Sequence, residues 1–126
     1  MALAFGSAQI LALSQTSIQA ADSAYLAGSA CQLQASWFDV YGNEYQPLAI
    51  SYRLDLVCAS RELEQILGWT SIAPVIVNLI TVTSAQNAMI NLTRESETHQ
   101  ALFQVTGQDN NVSYARTTFK IIRAVP

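Results

Sequence analysis

Apolar and polar residues alternate along much of this chain, and the clearest run lies at residues 47–55, Pro-Leu-Ala-Ile-Ser-Tyr-Arg-Leu-Asp. Leu48, Ile50, Tyr52 and Leu54 fall on one phase, and Ala49, Ser51, Arg53 and Asp55 on the other. A period of two is that of a half-buried strand, because successive Cβ atoms point to opposite sides of a sheet. Pro47 stands at the first position, where no ladder donor is yet needed. The run is expected to be a central strand of an antiparallel sandwich. Residues 29–38 alternate in the same way, with Cys31, Leu33, Ala35 and Trp37 set against Gln32, Gln34 and Ser36. Gly42-Asn43 brings turn chemistry, since both residues tolerate positive φ. The two strands then form a hairpin or a sandwich corner.

Further along, residues 75–84 are rich in β-branched side chains and predict a strand with Ile76, Ile80 and Val82 inward. Residues 99–106 predict another, with Ala101, Phe103 and Val105 inward, and residues 112–123 a last one, with Thr117, Phe119 and Ile121 inward. Between them Gly-Gln-Asp-Asn-Asn, residues 107–111, is the strongest turn in the chain. Residues 60–68 break the rhythm. Ser60 suits an N-cap, and Leu63, Ile66 and Leu67 follow at helical spacing, so a short helical turn near 61–67 or a short edge strand is expected. Residues 1–27 are rich in small side chains and read as an N-terminal arm or a first strand. Residues 28–126 then form the sandwich domain. About seven short strands without a βαβ unit make the fold class all-β, an immunoglobulin-like antiparallel β-sandwich. The expected core-forming side chains are Trp37, Tyr52, Leu54, Trp69, Ile80, Phe103 and Phe119, each contributing about 1.5–3 kcal/mol on burial.

Composition narrows the functional classes. A chain of 126 residues fits one domain. Only 12% of residues are charged, against about a quarter in an average soluble domain. A neutral polar skin suits a protein packed against other protein, and equally an uncharged monomer. The basic residues Arg53, Arg61, Arg94, Arg116, Lys120 and Arg123 are scattered and net charge is −3, so nucleic acid is not an expected partner. No apolar run is long enough to span a bilayer, so neither is a membrane. The first residues lack the basic start of a secretory signal, which points to synthesis in the cytoplasm. Cys31 and Cys58 read as buried thiols, since a disulfide would call for an oxidising compartment.

Candidate chemistry is sparse. The single histidine, His99, reads as a half-exposed sheet residue with no partnered nucleophile. One His and two separated Cys are too few for a zinc site. Glu95 and Glu97 with Asp109 read as solvated carboxylates before they read as a calcium site, and Glu62 and Glu64 face no expected pocket. No catalytic residue, metal ligand or cofactor is therefore expected. Asn91-Leu-Thr and Asn111-Val-Ser match the glycosylation pattern, which matters only in a secreted protein. Arg53 and Asp55 share the polar face of the central strand, either facing a partner or forming a surface pair of little energetic value. Tyr41 and Tyr45, with Tyr114, are further candidates for partner contact if they cluster at one end.

A family resemblance adds to this. The order Asp39, Gly42, Pro47, then Tyr52-Arg-Leu-Asp, then Trp69-Thr-Ser-Ile, then Asn87 and Glu97, ending in a strand with Phe119 and Ile121, resembles small immunoglobulin-like structural proteins of tailed bacteriophages. The resemblance covers roughly residues 35–123. It implies a non-enzymatic structural protein of the virion, made in the host cytoplasm. The favoured role is a capsid cement or decoration protein that binds and bridges major capsid protein subunits and associates with its own copies. Alternatives are a neck, tail or baseplate component, and, from a different class, a binding module for a host-surface carbohydrate or receptor.

Overall fold

A computed structural model of the protein describes residues 4–13, 24–58, 62–90 and 94–123. The alternating segments form eight strands: β1 (Phe5–Leu13), β2 (Ala24–Leu26), β3 (Cys31–Asp39), β4 (Ala49–Val57), β5 (Leu63–Ile72), β6 (Val77–Val82), β7 (Ser96–Thr106) and β8 (Val112–Ile122). One sheet has the order β1-β3-β6 and the other β2-β8-β7-β4-β5. Every pairing is antiparallel except that of the three-residue β2 with β8, which is parallel. The two sheets face each other as an immunoglobulin-like β-sandwich, with no helix among the described residues. The segments at residues 14–23, the Ser60 cap with Arg61, and the Asn91-Leu-Thr tripeptide lie outside the described residues.

The period-two runs bury their apolar phase between the sheets. Leu33, Ala35 and Trp37 of β3 meet Ala101, Phe103 and Val105 of β7, all fully buried. Trp37 packs edge-on against Phe103 across the gap, with ring centroids 5.6 Å apart, and Tyr52 stacks on the same Phe103 at 5.9 Å. The Trp37 indole N–H donates to Asn78 Oδ1 at 2.8 Å, so its one polar atom is not stranded. Of the expected core, Trp37, Tyr52, Leu54, Ile80, Phe103 and Phe119 are buried.

β3 and β4 lie in different sheets, so the segment between them is a sandwich corner and not a hairpin. Asp39 starts its turn by accepting the backbone N–H groups of Tyr41 and Asn43 at 2.8 and 3.0 Å, and Gly42 takes φ 84°. At the other tight turn Asn110 adopts φ 66°. A Cβ at Gly107 there would come within 2.7 Å of Asp109 Oδ1 and push that carboxylate aside.

Several expectations are corrected. Trp69 is 44% exposed, because Thr70 and Ile72 take the inward phase opposite Tyr52 and Ile50 and leave the neighbouring tryptophan pointing out. The helical turn expected near 61–67 is absent from the described part of that segment, which belongs to β5. An isolated helix so short is unstable, and pairing with β4 supplies its backbone bonds instead. Leu48 and Ile76 are exposed, as each precedes the strand that would have turned it inward.

Candidate interaction face

The outer face of the five-stranded sheet gathers most of the unusual side chains. It is built by the polar phases of its strands. Across one row, the register places Arg116 of β8 beside Leu102 of β7 and Leu102 beside Arg53 of β4. Across the next row, Thr118 meets Gln100, Gln100 meets Asp55, and Asp55 meets Gln65 of β5. The register that pairs Ile50 with Ile72 and Tyr52 with Thr70, carried one residue on, sets Trp69 opposite Arg53, and two register shifts between β4 and β5 occur there, at Tyr52/Leu54 and Leu54/Asp55. The Arg53 guanidinium carbon lies 5.7 Å from the Trp69 ring centroid, a cation–π distance.

Arg53 and Asp55 form a two-pronged pair along the strand. Arg53 Nε and Nη2 donate to the two Asp55 carboxylate oxygens at 2.9 and 2.7 Å. Asp55 is 0% exposed although it sits on the outer face. The hydrogen bonds to Asp55 push the Arg53 guanidinium pKa up, toward its charged form. The pair therefore lies on the outer face, but only Arg53 is available to a partner. A shallow depression of about 600 Å³ lies nearby, lined by Val57, Leu63, Thr98, Gln100, Arg116 and Thr118. Tyr114 stands exposed on the same face, in the row of Gln104 and Ser51.

The other expected contact residues divide. Tyr41 is 79% exposed in the β3–β4 corner. Tyr45 is buried, contrary to expectation: its ring packs against Phe5, and its hydroxyl accepts the backbone N–H of Gln108 at 2.6 Å, which pins the corner to the β7–β8 turn. No aromatic cluster of Tyr41, Tyr45 and Tyr114 therefore forms. His99 is also corrected. It is buried between the sheets, its Nε2 3.0 Å from Glu97 Oε2, with both side chains 1% exposed. Phe119 packs edge-on against its ring at 5.9 Å. Glu97 is thus tied to the interior and not displayed with Glu95 and Asp109.

At one end of the sandwich a recess of about 480 Å³ opens beside Leu56, Cys58, Glu64, Ile90, Arg94 and Glu97. Both cysteines are free thiols: Cys31 is buried, Cys58 half-buried. Burial pushes the Cys31 thiol up, and burial together with Cys31 pushes Tyr25 far above the ordinary phenol range. Among the described residues no group of three or more His, Cys, Asp or Glu is placed to hold a metal ion.

The stacking of Arg53 on Trp69 and the burial of the His99–Glu97 pair are not among the expectations drawn from the sequence. The second was readable, since residues 97 and 99 share the odd-numbered phase of Ala101, Phe103 and Val105. The first depended on β5 lying beside β4 in that register, which no local pattern announces.

No protein-family model matches the chain, and no curated protein matches it. Solved structures do. The chain is similar to a superoxide reductase (neelaredoxin) from Ignicoccus hospitalis, with TM-score 0.55 and 11% identity over 93% of this chain and 81% of that one. It is also similar, at TM-score 0.48 and 9% identity over 98% of both chains, to a Bordetella pertussis protein described as ApaA. A cohesin module from Clostridium perfringens follows at TM-score 0.41 and 9% identity, covering 98% of this chain and 100% of the module. At these identities the likeness is one of fold: the chain has the β-sandwich architecture on which unrelated functions are built.

Proposed function

We propose that this chain is a non-enzymatic structural protein of a virion, a capsid cement or decoration protein that binds and bridges major capsid protein subunits. One observation carries the reading. The side chains with the most chemistry are tied to one another or to the backbone: Glu97 to His99, Asp55 to Arg53, and Asp39 to its turn. What is left for work is surface. That surface is low in charge and includes exposed Leu63, Trp69, Val77 and Leu79 on strands at sheet edges. The resemblance of residues 35–123 to small phage structural proteins points the same way. Bridging would act by burying surface across subunit joints, so that opening the shell must also break those contacts. Repetition over a symmetric lattice turns weak single contacts into avid ones.

Locating and counting the chain in purified particles tests this. Hundreds of copies spread over the shell support the cement role. About six to twelve copies at one vertex indicate a neck or tail ring, and absence from the particle overturns the virion reading. A second reading, binding of a host-surface carbohydrate, is favoured by exposed Trp69 over Arg53, with exposed Tyr114 on the same sheet face. Glycan-array binding that is lost in Trp69→Ala would support it over the first.

A further inference from the structure

β6 is a free edge: among the described strands its one hydrogen-bonded neighbour is β3. In an antiparallel ladder, residues whose backbone groups face the neighbour alternate with residues whose groups face away. Trp37 donates its backbone N–H to Ile76 O at 3.2 Å, and the register continues through Asn78, Ile80 and Val82. Val77, Leu79 and Thr81 therefore direct their N–H and C=O groups to the open side. Their side chains lie on the outer face, with Val77 48% and Leu79 55% exposed.

Other edges of the sandwich are blunted. β2 is only three residues long, β5 carries Glu64 and the two register shifts, and β1 has a shift between Phe5 and Ser7. β6 has a regular register with β3 and no internal proline. No charged residue occurs anywhere between Glu64 and Arg94. Charge, proline, brevity and bulges are the devices that keep strand edges from pairing with other chains, and β6 has none of these beyond its modest length.

We infer that β6 pairs with β6 of a second copy. The two strands run antiparallel about a two-fold axis at Leu79 and join two three-stranded sheets into one continuous sheet. In this register Leu79 faces the partner's Leu79, and Val77 faces the partner's Thr81. All three are residues whose backbone groups point outward, so the free donors and acceptors of the edge are mutually satisfied in about six bonds. On the outer face leucine meets leucine, and valine meets threonine of nearly equal shape. A second copy fits better than a charged partner, because the edge offers no charge to complement and its register complements itself. Strands this short bury less than the roughly 1,200–2,000 Å² of a standard interface. The isolated dimer is accordingly weak, and it strengthens where neighbouring copies are held side by side. The pairing does not rest on the virion reading and is tested without any particle.

The test is sedimentation velocity on the full chain from micromolar to millimolar concentration. A dimer fraction that rises with concentration is expected. Leu79→Lys, which sets two ammonium groups together on the axis, and Thr81→Pro, which removes an outward N–H, should each weaken dimerisation at least about tenfold. Near-UV circular dichroism checks that the fold is retained; if Thr81→Pro fails to fold, Leu79→Lys decides, since that side chain is exposed. Register is read by oxidation in a Cys58→Ser background. Leu79→Cys should cross-link between copies, as facing hydrogen-bonded residues lie about 5.5 Å apart, within disulfide reach. Val77→Cys should not, its equivalent lying about 13 Å away along the strand. A strictly monomeric wild type, undiminished dimerisation in Leu79→Lys, or no preference for position 79 over 77 in cross-linking overturns the inference.

Discussion

The sandwich interior and the outer face of the five-stranded sheet each hold one tryptophan and one ionisable pair spaced two residues apart. Inside are Trp37 and the Glu97–His99 pair; outside are Trp69 and the Arg53–Asp55 pair. The local arithmetic is the same in both, because residues i and i+2 of a strand share a face. What differs is the way out. Glu97 and His99 are both closed in, whereas the Arg53 side chain keeps 25% of its surface and reaches water. Trp37 has its ring fully buried and its N–H bonded to Asn78, while Trp69 lies 44% exposed over a guanidinium. Identical spacing therefore yields interactions of different energetic weight, and the difference is measurable.

The largest effects should come from the interior. His99→Ala leaves the Glu97 carboxylate buried without its imidazole, and Trp37→Ala opens a cavity beside Phe103. Each should cost about 3–5 kcal/mol in urea denaturation, with an unchanged slope. A loss below about 1 kcal/mol for His99→Ala would erase the distinction between the two pairs. Next comes the outer pair. Asp55→Ala removes a two-pronged, charge-assisted contact, yet frees Arg53 to solvent, so about 1.5–3 kcal/mol is expected. Equality with His99→Ala would mean that the outer face is as closed as the interior.

A smaller effect should appear at alkaline pH. Burial raises the titration of Cys31 from the ordinary 9.0, and of Tyr25 and Tyr52 from the ordinary 10.0, in the folded protein. The folded chain then keeps protons that the unfolded chain releases. Stability is complete below those ordinary values and falls as pH rises through them toward the folded ones. The thermal midpoint should be flat near neutrality and decline above about pH 9, and Tyr25→Phe should flatten part of the decline. The smallest effect belongs to Trp69→Ala, under about 1 kcal/mol. Iodide should quench the fluorescence of Trp69 and spare Trp37, and quenching of both would remove the contrast.

The parts of the fold legible in the sequence were those governed by nearest-neighbour alternation. β3, β4, β7 and β8 announced themselves because one phase of each is apolar, and the turns at 40–43 and 107–111 because Gly, Asn and Asp are there. The helical spacing of Leu63, Ile66 and Leu67 was real but outweighed by a partner strand more than five residues upstream. Tyr45 gave no sign of burial, because its site is made by Phe5 and Gln108, both distant in the chain.

Alternation along the chain was enough to determine that this protein is all-β, which apolar side chains of β3, β4, β7 and β8 face inward, and where the tight turns fall, since these depend on the geometry of a few consecutive residues. The tertiary structure alone decided which sheet each strand joins, that Trp69 points out and His99 in, that Asp55 is closed over on an outer face, and that β6 is left as an open edge among the described strands. Those outcomes depend on which strand lies alongside which, and strand neighbours are set by contacts between residues far apart in sequence.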